Sequence, residues 1–265
     1  MADRLVIRVR EVVRERYAQR ARQAAALEGR QEAACDDAGE CCAPRASAAA
    51  TCGDIYDAVT LATLPDTVVA AAAGCGNPTA LAGLRRGERV LDLGSGGGID
   101  CFLAGRQVGA VGLVVGVDMT PDMVALAERN RRKVAARNVL FLQAEMEHLP
   151  LAEGSVDVII SNCVINLAPD KDAVFREAFR VLRPGGRVHV ADILALAEVP
   201  AELRRDLRRW AACLAGADPV ETYLGRLRAA GFAEVRVVRQ VPYRKEDDLP
   251  VPLVSAQVEA RKPGA

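Results

Sequence analysis

Histidine is nearly missing from this sequence: His148 and His189 are the only two in 265 residues. Aromatics are scarce as well, 4% of the chain with the single tryptophan Trp210. Neither sign of charge is in excess, with 35 basic residues against 35 acidic ones, and no apolar run is long enough to span a bilayer. Each absence excludes something. Balanced charge removes the basic stripe that nucleic acids or anionic membranes require, and Arg204-Arg205 with Arg208-Arg209 are expected on one solvated helix face. Two isolated histidines and the lack of any Cys-x-x-Cys pair argue against a structural zinc, which needs short ligand pairs. At the start of the chain Asp3, Arg4, Arg8, Arg10 and Glu11 break up any signal-like segment, so a cytoplasmic setting is expected.

Cysteine, by contrast, is plentiful. Cys35, Cys41, Cys42 and Cys52 crowd the N-terminal fifth, while Cys75, Cys101, Cys163 and Cys213 stand singly. In a reducing compartment structural disulfides are a poor explanation for eight cysteines, and thiol chemistry or soft-element binding is a better one. Cys101, one turn into a predicted helix, is expected to be core packing, since free cysteine is among the most buried residue types.

Charge alternates with Val, Leu and Ala at helical spacing over residues 4–30, which predicts an exposed amphipathic helix. Residues 31–53 have no clear period and are expected to form a mobile loop whose cysteines swing toward a site elsewhere. A short helix follows Asp66, with the N-cap chemistry of an acid. From about residue 86 short apolar strands alternate with helices: strands at 89–93, 113–118, 139–143, 156–161 and 187–193, helices at 99–109, 121–136 and 170–182. This alternation predicts a parallel sheet with right-handed crossovers. Arg183-Pro184-Gly185-Gly186 is expected to stop a helix and turn into the next strand. A helical insertion after residue 198, a helix near 219–230 and two late strands, about 233–241 and 251–260, complete the chain. Three parts are expected: a helical, cysteine-rich cover (1–85), a Rossmann-like core (86–198), and the insertion with the last strands (199–265).

The first strand runs into Asp92-Leu93-Gly94-Ser95-Gly96-Gly97-Gly98 at a helix start, and the second ends on Asp118. Glycines there let the chain turn tightly and let a ligand approach the backbone, and an acid at the second strand's end suits ribose hydroxyls. NAD stays possible on that pattern. Two details argue against it: Asp92 precedes the first glycine, and position 99 is Ile, which breaks the Gly-x-Gly-x-x-Gly phosphate fingerprint. An acid at the loop suits a cationic, amino-acid-bearing ligand such as S-adenosylmethionine.

The block Val90–Asp100, with Gly116-Val117-Asp118-Met119-Thr120, Ala144–Pro150 and Arg183–Gly186, resembles the motifs of class I S-adenosylmethionine methyltransferases. Three further pieces, Gly74-Cys75-Gly76-Asn77-Pro78, Ile160–Leu167 around Cys163 and Trp210–Ala217 around Cys213, resemble the cysteine motifs of the arsenite methyltransferases, in a short microbial form. The likeness runs from about residue 54 to 245 and extends to Val12–Tyr17 and the Cys41-Cys42 pair, with Tyr17-Ala18 where the family usually has Tyr-Gly.

The resemblance implies a mostly parallel seven-stranded sheet with helices on both faces. It implies S-adenosylmethionine bound by Asp92, Gly94, Ser95, Gly96, Asp118, Met119, Met146, Glu147 and Asn162. It also implies Cys75, Cys163 and Cys213 as ligands of arsenic(III), the substrate being arsenite or methylarsenite, and Cys42 or Cys41 as a relay to an external reductant, thioredoxin or glutathione. Thiolates suit a soft acceptor, and an arsenic lone pair has no proton to lose, so the scarcity of histidine fits. No nucleic-acid or membrane partner is expected, and a monomer is the default. The rival readings are a carbon- or oxygen-methylating enzyme with incidental cysteines and a non-catalytic arsenic sensor on the same fold.

Overall fold

The computed structural model describes residues 2–33, 55–243 and 250–264. Seven strands form where short runs rich in Val, Ile and Leu lie between turn signals: β1 (Arg89–Leu93), β2 (Leu113–Asp118), β3 (Val139–Gln143), β4 (Val156–Asn162), β5 (Leu182–Ala195), β6 (Ala233–Tyr243) and β7 (Leu253–Arg261). They make one sheet in the order β3-β2-β1-β4-β5-β7-β6. The first five strands are mutually parallel, whereas β7 runs antiparallel to both β5 and β6.

Among the described residues the helices are α1 (Ala2–Ala33), α2 (Ala58–Ala62), α3 (Asp66–Ala71), α4 (Pro78–Leu81), α5 (Ile99–Val108), α6 (Pro121–Lys133), α7 (Lys171–Val181), α8 (Leu207–Ala211) and α9 (Val220–Ala229). Side chains alternate across the sheet as strand geometry requires. Leu91, Leu93 and Ile159 pack with Phe175 of α7 and Tyr223 of α9. Their neighbours Val90, Val158 and Ile160 pack on the other face with Phe102 and Leu103 of α5. The result is the expected three-layer α/β arrangement. Because β1 lies between β2 and β4, strand order reverses at its carboxyl end, the place where such sheets bind ligands.

The apolar stripe of α1 is not exposed. Val9, Val13, Ala18, Ala21 and Ala24 are buried, and the helix packs against α3, α6 and α8 across that carboxyl edge. Asp66 is the first residue of α3 rather than its cap; Pro65 holds the cap position with no side-chain bond. Arg183–Gly186 does not form a separate turn: β5 begins at Leu182 and runs through it, with a register shift against β4 between Val156 and Val158. The expected helix over 121–136 stops at Lys133, and Ala135 takes a positive φ of 50°. The cysteine-rich loop expected over 31–53 lies outside the described residues apart from the end of α1.

Candidate active site

The glycine loop after β1 is tied to its neighbour: the Gly94 and Ser95 N–H groups donate to the Val117 carbonyl at 2.7 and 3.0 Å. Gly96 has a φ of 50°, which disfavours a side chain, and nothing stands within 4 Å of where its Cβ would be. The loop therefore faces open space, a cleft of about 940 Å³ with its mouth included. At the end of β2 the Asp118 carboxylate accepts from Gly96 N–H at 3.0 Å and Thr120 N–H at 2.8 Å. Burial raises its pKa against those bonds.

All nine residues expected at the cofactor, Asp92, Gly94, Ser95, Gly96, Asp118, Met119, Met146, Glu147 and Asn162, line this one cleft, and Cys163 lines it too. Two acids form part of its wall. Asp92 is pushed well above the usual carboxylate range by burial and by the like charge of Asp100. Burial raises Asp100 to about 6, although Asn162 and Tyr56 hydrogen-bond to it. A pair of buried carboxylates without an ion pair among the described residues fits a ligand that brings its own cations, as S-adenosylmethionine does with its ammonium and sulfonium.

Glu147 is ion-paired to Arg10 of α1 at 3.1 Å, and Arg10 also reaches Glu145 at 3.2 Å, so the helix across the cleft is latched to its rim. Asn162 faces the cleft, yet its amide is committed to protein partners. Its Oδ1 accepts from Cys75 N–H (3.0 Å) and Gly76 N–H (3.2 Å), and its Nδ2 donates to the Gly76 carbonyl (2.6 Å), Tyr56 Oη (3.0 Å) and Asp100 (3.1 Å). Its structural task is to hold the Cys75 loop.

Three thiols meet beside the cleft. Cys163 follows β4 with its N–H on the Ala191 carbonyl at 2.7 Å, and the Cys213 thiol donates to the Cys163 carbonyl at 3.0 Å. Both residues sit in the left-handed region, φ 60° and 64°, a conformation that costs a non-glycine residue about 1 kcal/mol or more and recurs at functional sites. Cys75 belongs to the same apolar cluster. The Cys213 segment is docked on the Cys163 loop at Gly216, where a Cβ would stand 2.0 Å from the Asn166 carbonyl oxygen. Lys171 and Trp210 add bonds to the Gly216 and Leu167 carbonyls.

Burial pushes the Cys75 pKa up, with its hydrogen bond to Cys163 opposing. For Cys163 the bond with Cys213 pulls down, but the bond with Cys75, burial and the charge of Asp192 carry it well above the usual range. Cys213 is raised by its bond to Cys163 and by burial, and the Tyr17 hydroxyl opposes through a further bond. Burial thus favours the neutral thiol at all three positions. Cys163 interacts with both of the others, and no preformed metal cage of three or more His, Cys, Asp or Glu exists among the described residues.

Cys101 is buried in the core, as expected, though its thiol also donates to Asp92 at 3.2 Å. Cys35, Cys41, Cys42 and Cys52 lie outside the described residues. His148 is exposed, and His189 is buried in β5 with its pKa lowered to about 4 by desolvation, so neither histidine reaches the thiols as an acid–base group. Sequence reasoning missed Tyr56, Asp100 and Asp192 as parts of the site. For Asp192 a signal existed: a lone acid inside the apolar run of β5.

A methyltransferase-domain family matches residues 84–245, and a seven-stranded sheet in this order, with this glycine loop, is the class I S-adenosylmethionine methyltransferase fold. Within that class the chain belongs to the arsenite methyltransferase family. It is 43% identical over 270 residues to the arsenite methyltransferase of Halobacterium salinarum, covering 99% of this chain and 69% of that protein. Against the arsenite methyltransferase of Aquipseudomonas alcaligenes it is 44% identical over 176 residues, 64% of this chain and 50% of that one. The crystal structure of CrArsM, an arsenic(III) S-adenosylmethionine methyltransferase from Chlamydomonas reinhardtii, superposes with a TM-score of 0.67 at 34% identity, covering 83% of this chain and 75% of that chain.

Proposed function

We propose that the protein transfers methyl groups from S-adenosylmethionine to arsenic(III) held by Cys75, Cys163 and Cys213, giving methylated arsenicals. The observation that carries this reading is the gathering of three cysteines beside the cofactor cleft: Cys163 lines its wall, the Cys213 thiol sits on the Cys163 carbonyl at 3.0 Å, and Cys75 packs in the same cluster. S-adenosylmethionine supplies an electrophilic methyl group on a positively charged sulfur. Asp92 and Asp100 face its cations, Asp118 takes the ribose hydroxyls, and Met119, Met146 and Glu147 flank the adenine. Residues 1–85 act as the cover, 86–198 as the cofactor core, and 199–265 as the part that brings Cys213.

Protonated thiols suit the loading step. Arsenous acid exchanges its three hydroxyls for three sulfurs, each thiol proton leaves with a hydroxyl as water, and the complex is neutral. Methylation needs no general base because the arsenic lone pair is the nucleophile; the protein's contribution is position and exclusion of water. Afterwards a thiolate attacks one coordinated sulfur, leaves as a disulfide with it, and returns arsenic to the trivalent state on the two remaining sulfurs. Cys42 or Cys41 relays that oxidation to thioredoxin or glutathione. The enzyme works as a single chain in the cytoplasm, where thiols stay reduced.

The test is arsenite dependence of S-adenosylhomocysteine formation in the presence of a thiol reductant. Cofactor consumption that requires arsenite supports the reading; consumption unchanged when arsenite is left out contradicts it.

A further inference from the structure

Asp192 is a buried carboxylate that the scheme above leaves without a task. It lies in β5 with none of its surface exposed. Its Oδ1 accepts from the Asn166 side-chain amide and the Ile193 N–H, both at 2.9 Å, and its Oδ2 accepts from the Asn166 N–H at 3.3 Å and the Tyr223 hydroxyl at 3.5 Å. Among the described residues no cation pairs with it. Lys171 acts on it only at longer range, its ammonium being held by the Gly216 carbonyl at 2.6 Å and by Asp218 at 3.5 Å. Four neutral donors and no counter-ion is an unusual state for a buried acid, because hydrogen bonds alone do not replace the lost hydration of a full charge.

Its carboxylate lies on the Tyr223 face of β5, and its chain neighbours and its partner Asn166 connect it to the thiol loops. Ala191, its chain neighbour, accepts the Cys163 N–H at 2.7 Å. Asn166, its main partner, lies in the turn that follows Cys163. Ile193, the next residue along β5, pairs across to Ser255, whose hydroxyl donates to the Cys75 carbonyl at 2.7 Å. The charge of Asp192 bears on the thiols of Cys75, Cys163 and Cys213 alike.

We propose that Asp192 is the built-in counter-ion for the positive charge that arsenic acquires when it is methylated. The proposal rests on the arsenic-methylating reading. With arsenic on three sulfurs the loaded site is neutral. The arsenic lone pair forms the bond to the methyl carbon, the carbon–sulfur bond of the donor breaks, and its electron pair stays on the donor sulfur. One positive charge has then moved to a methylarsenic still bonded to three protein sulfurs. It persists until a thiolate removes one of those sulfurs as a disulfide. A carboxylate already fixed by four donors, in a site closed to water, stabilises that charge without having to reorganise. Neutral arsenite gains nothing from it. The burial that raises the Asp192 pKa to about 7 fits a group waiting for a cation.

Asp192 thus acts through its field, and its removal affects transfer rather than loading. The test is Asp192→Asn, with Asp192→Ser as a second uncharged variant should the amide fail to fold. Arsenite affinity is read from the fluorescence of the single Trp210, whose indole N–H bonds the Leu167 carbonyl beside the thiols at 3.2 Å. Methyl transfer is read in a single turnover on enzyme preloaded with arsenite. The expected result is arsenite affinity within about threefold of the natural protein and transfer slowed at least a hundredfold. Transfer within threefold overturns the proposal. So does parallel loss of affinity and transfer, which makes Asp192 only a brace for the Cys163 turn. If the natural protein loads arsenite but transfers no methyl group, the underlying reading fails instead.

Discussion

Replacing Asn162 with Ala tests whether the cofactor cleft and the thiol site share a single positioning residue. The amide holds the Cys75 loop by three bonds: Cys75 N–H and Gly76 N–H to Oδ1 at 3.0 and 3.2 Å, and Nδ2 to the Gly76 carbonyl at 2.6 Å. At about 1 kcal/mol net for each bond, removing them releases about 3 kcal/mol of loop ordering. On the proposal that Cys75 is the third arsenic ligand, that loss is about a hundredfold in arsenite affinity, at 1.4 kcal/mol per tenfold. Trp210 fluorescence titration gives the affinity, and a thermal melt checks that the fold survives. Asn162→Asp keeps an acceptor for the two N–H groups but loses the donor to Gly76, so it should fall between the two. Arsenite affinity of Asn162→Ala within threefold of the natural protein would refute the reasoning, because the loop would then hold Cys75 without the amide.

Three other expectations follow from the same geometry. Cys163→Ser should abolish arsenic methylation while S-adenosylmethionine still binds; calorimetry and a product assay separate the two, and intact turnover is the opposing result. Tyr17→Phe removes the hydroxyl of a residue that lines the cleft and packs against the Cys163 and Cys213 cluster, and a loss of one neutral hydrogen bond, about 1 kcal/mol, lowers arsenite affinity about fivefold; no change would take the Tyr17 hydroxyl out of the thiol site. Cofactor affinity should fall as pH drops through about 6, where Asp100 becomes protonated, by up to about tenfold per pH unit for each acid that must ionise. The ligand-free fold should show the opposite trend. The pKa values of Asp100 and Asp192, about 6 and about 7, lie above the ordinary 3.8, so their contribution to stability is fully present below 3.8 and is lost as pH rises through 6 to 7. A melting temperature that rises between pH 5 and 7.5 in the absence of ligand would contradict this assignment.

Much of the fold was legible because its signals are local. β1, β2 and β3 carry short apolar runs bounded by turns, and their limits agree with the sequence reading. The glycine loop and Asp118 announce a ligand-binding strand end through conformational demands that one short segment reveals. Gly185 and Pro184 look like a turn from sequence, but β4 and β7 flank that stretch, and pairing absorbs it into β5 through a register shift. α1 looked exposed because its stripe is narrow and Ala-rich, and nothing local tells that α3, α6 and α8 will cover it.

The site was legible by residue type and less so by task. Cys163 and Cys213 are bonded across 50 residues, and no spacing rule gives that pairing. Asn162 was expected at the cofactor from the family resemblance alone. Its bonds to Cys75, 87 residues away, and to Tyr56, 106 residues away, exist only after the sheet has formed. Asp192 stands out in sequence only as a lone acid in the apolar run of β5, a signal that names no task. Its meaning comes from lacking a cation, which only packing reveals.

The most direct test of the account is to supply S-adenosylmethionine carrying an isotopically labelled methyl group, with arsenite and a thiol reductant, and to follow the label by arsenic speciation over time. The account predicts that the label appears in methylated arsenic with the natural protein and in none with Cys163→Ser. Label that never reaches arsenic, or that reaches it equally with Cys163→Ser, would contradict the claim that these thiols present arsenic to the methyl donor.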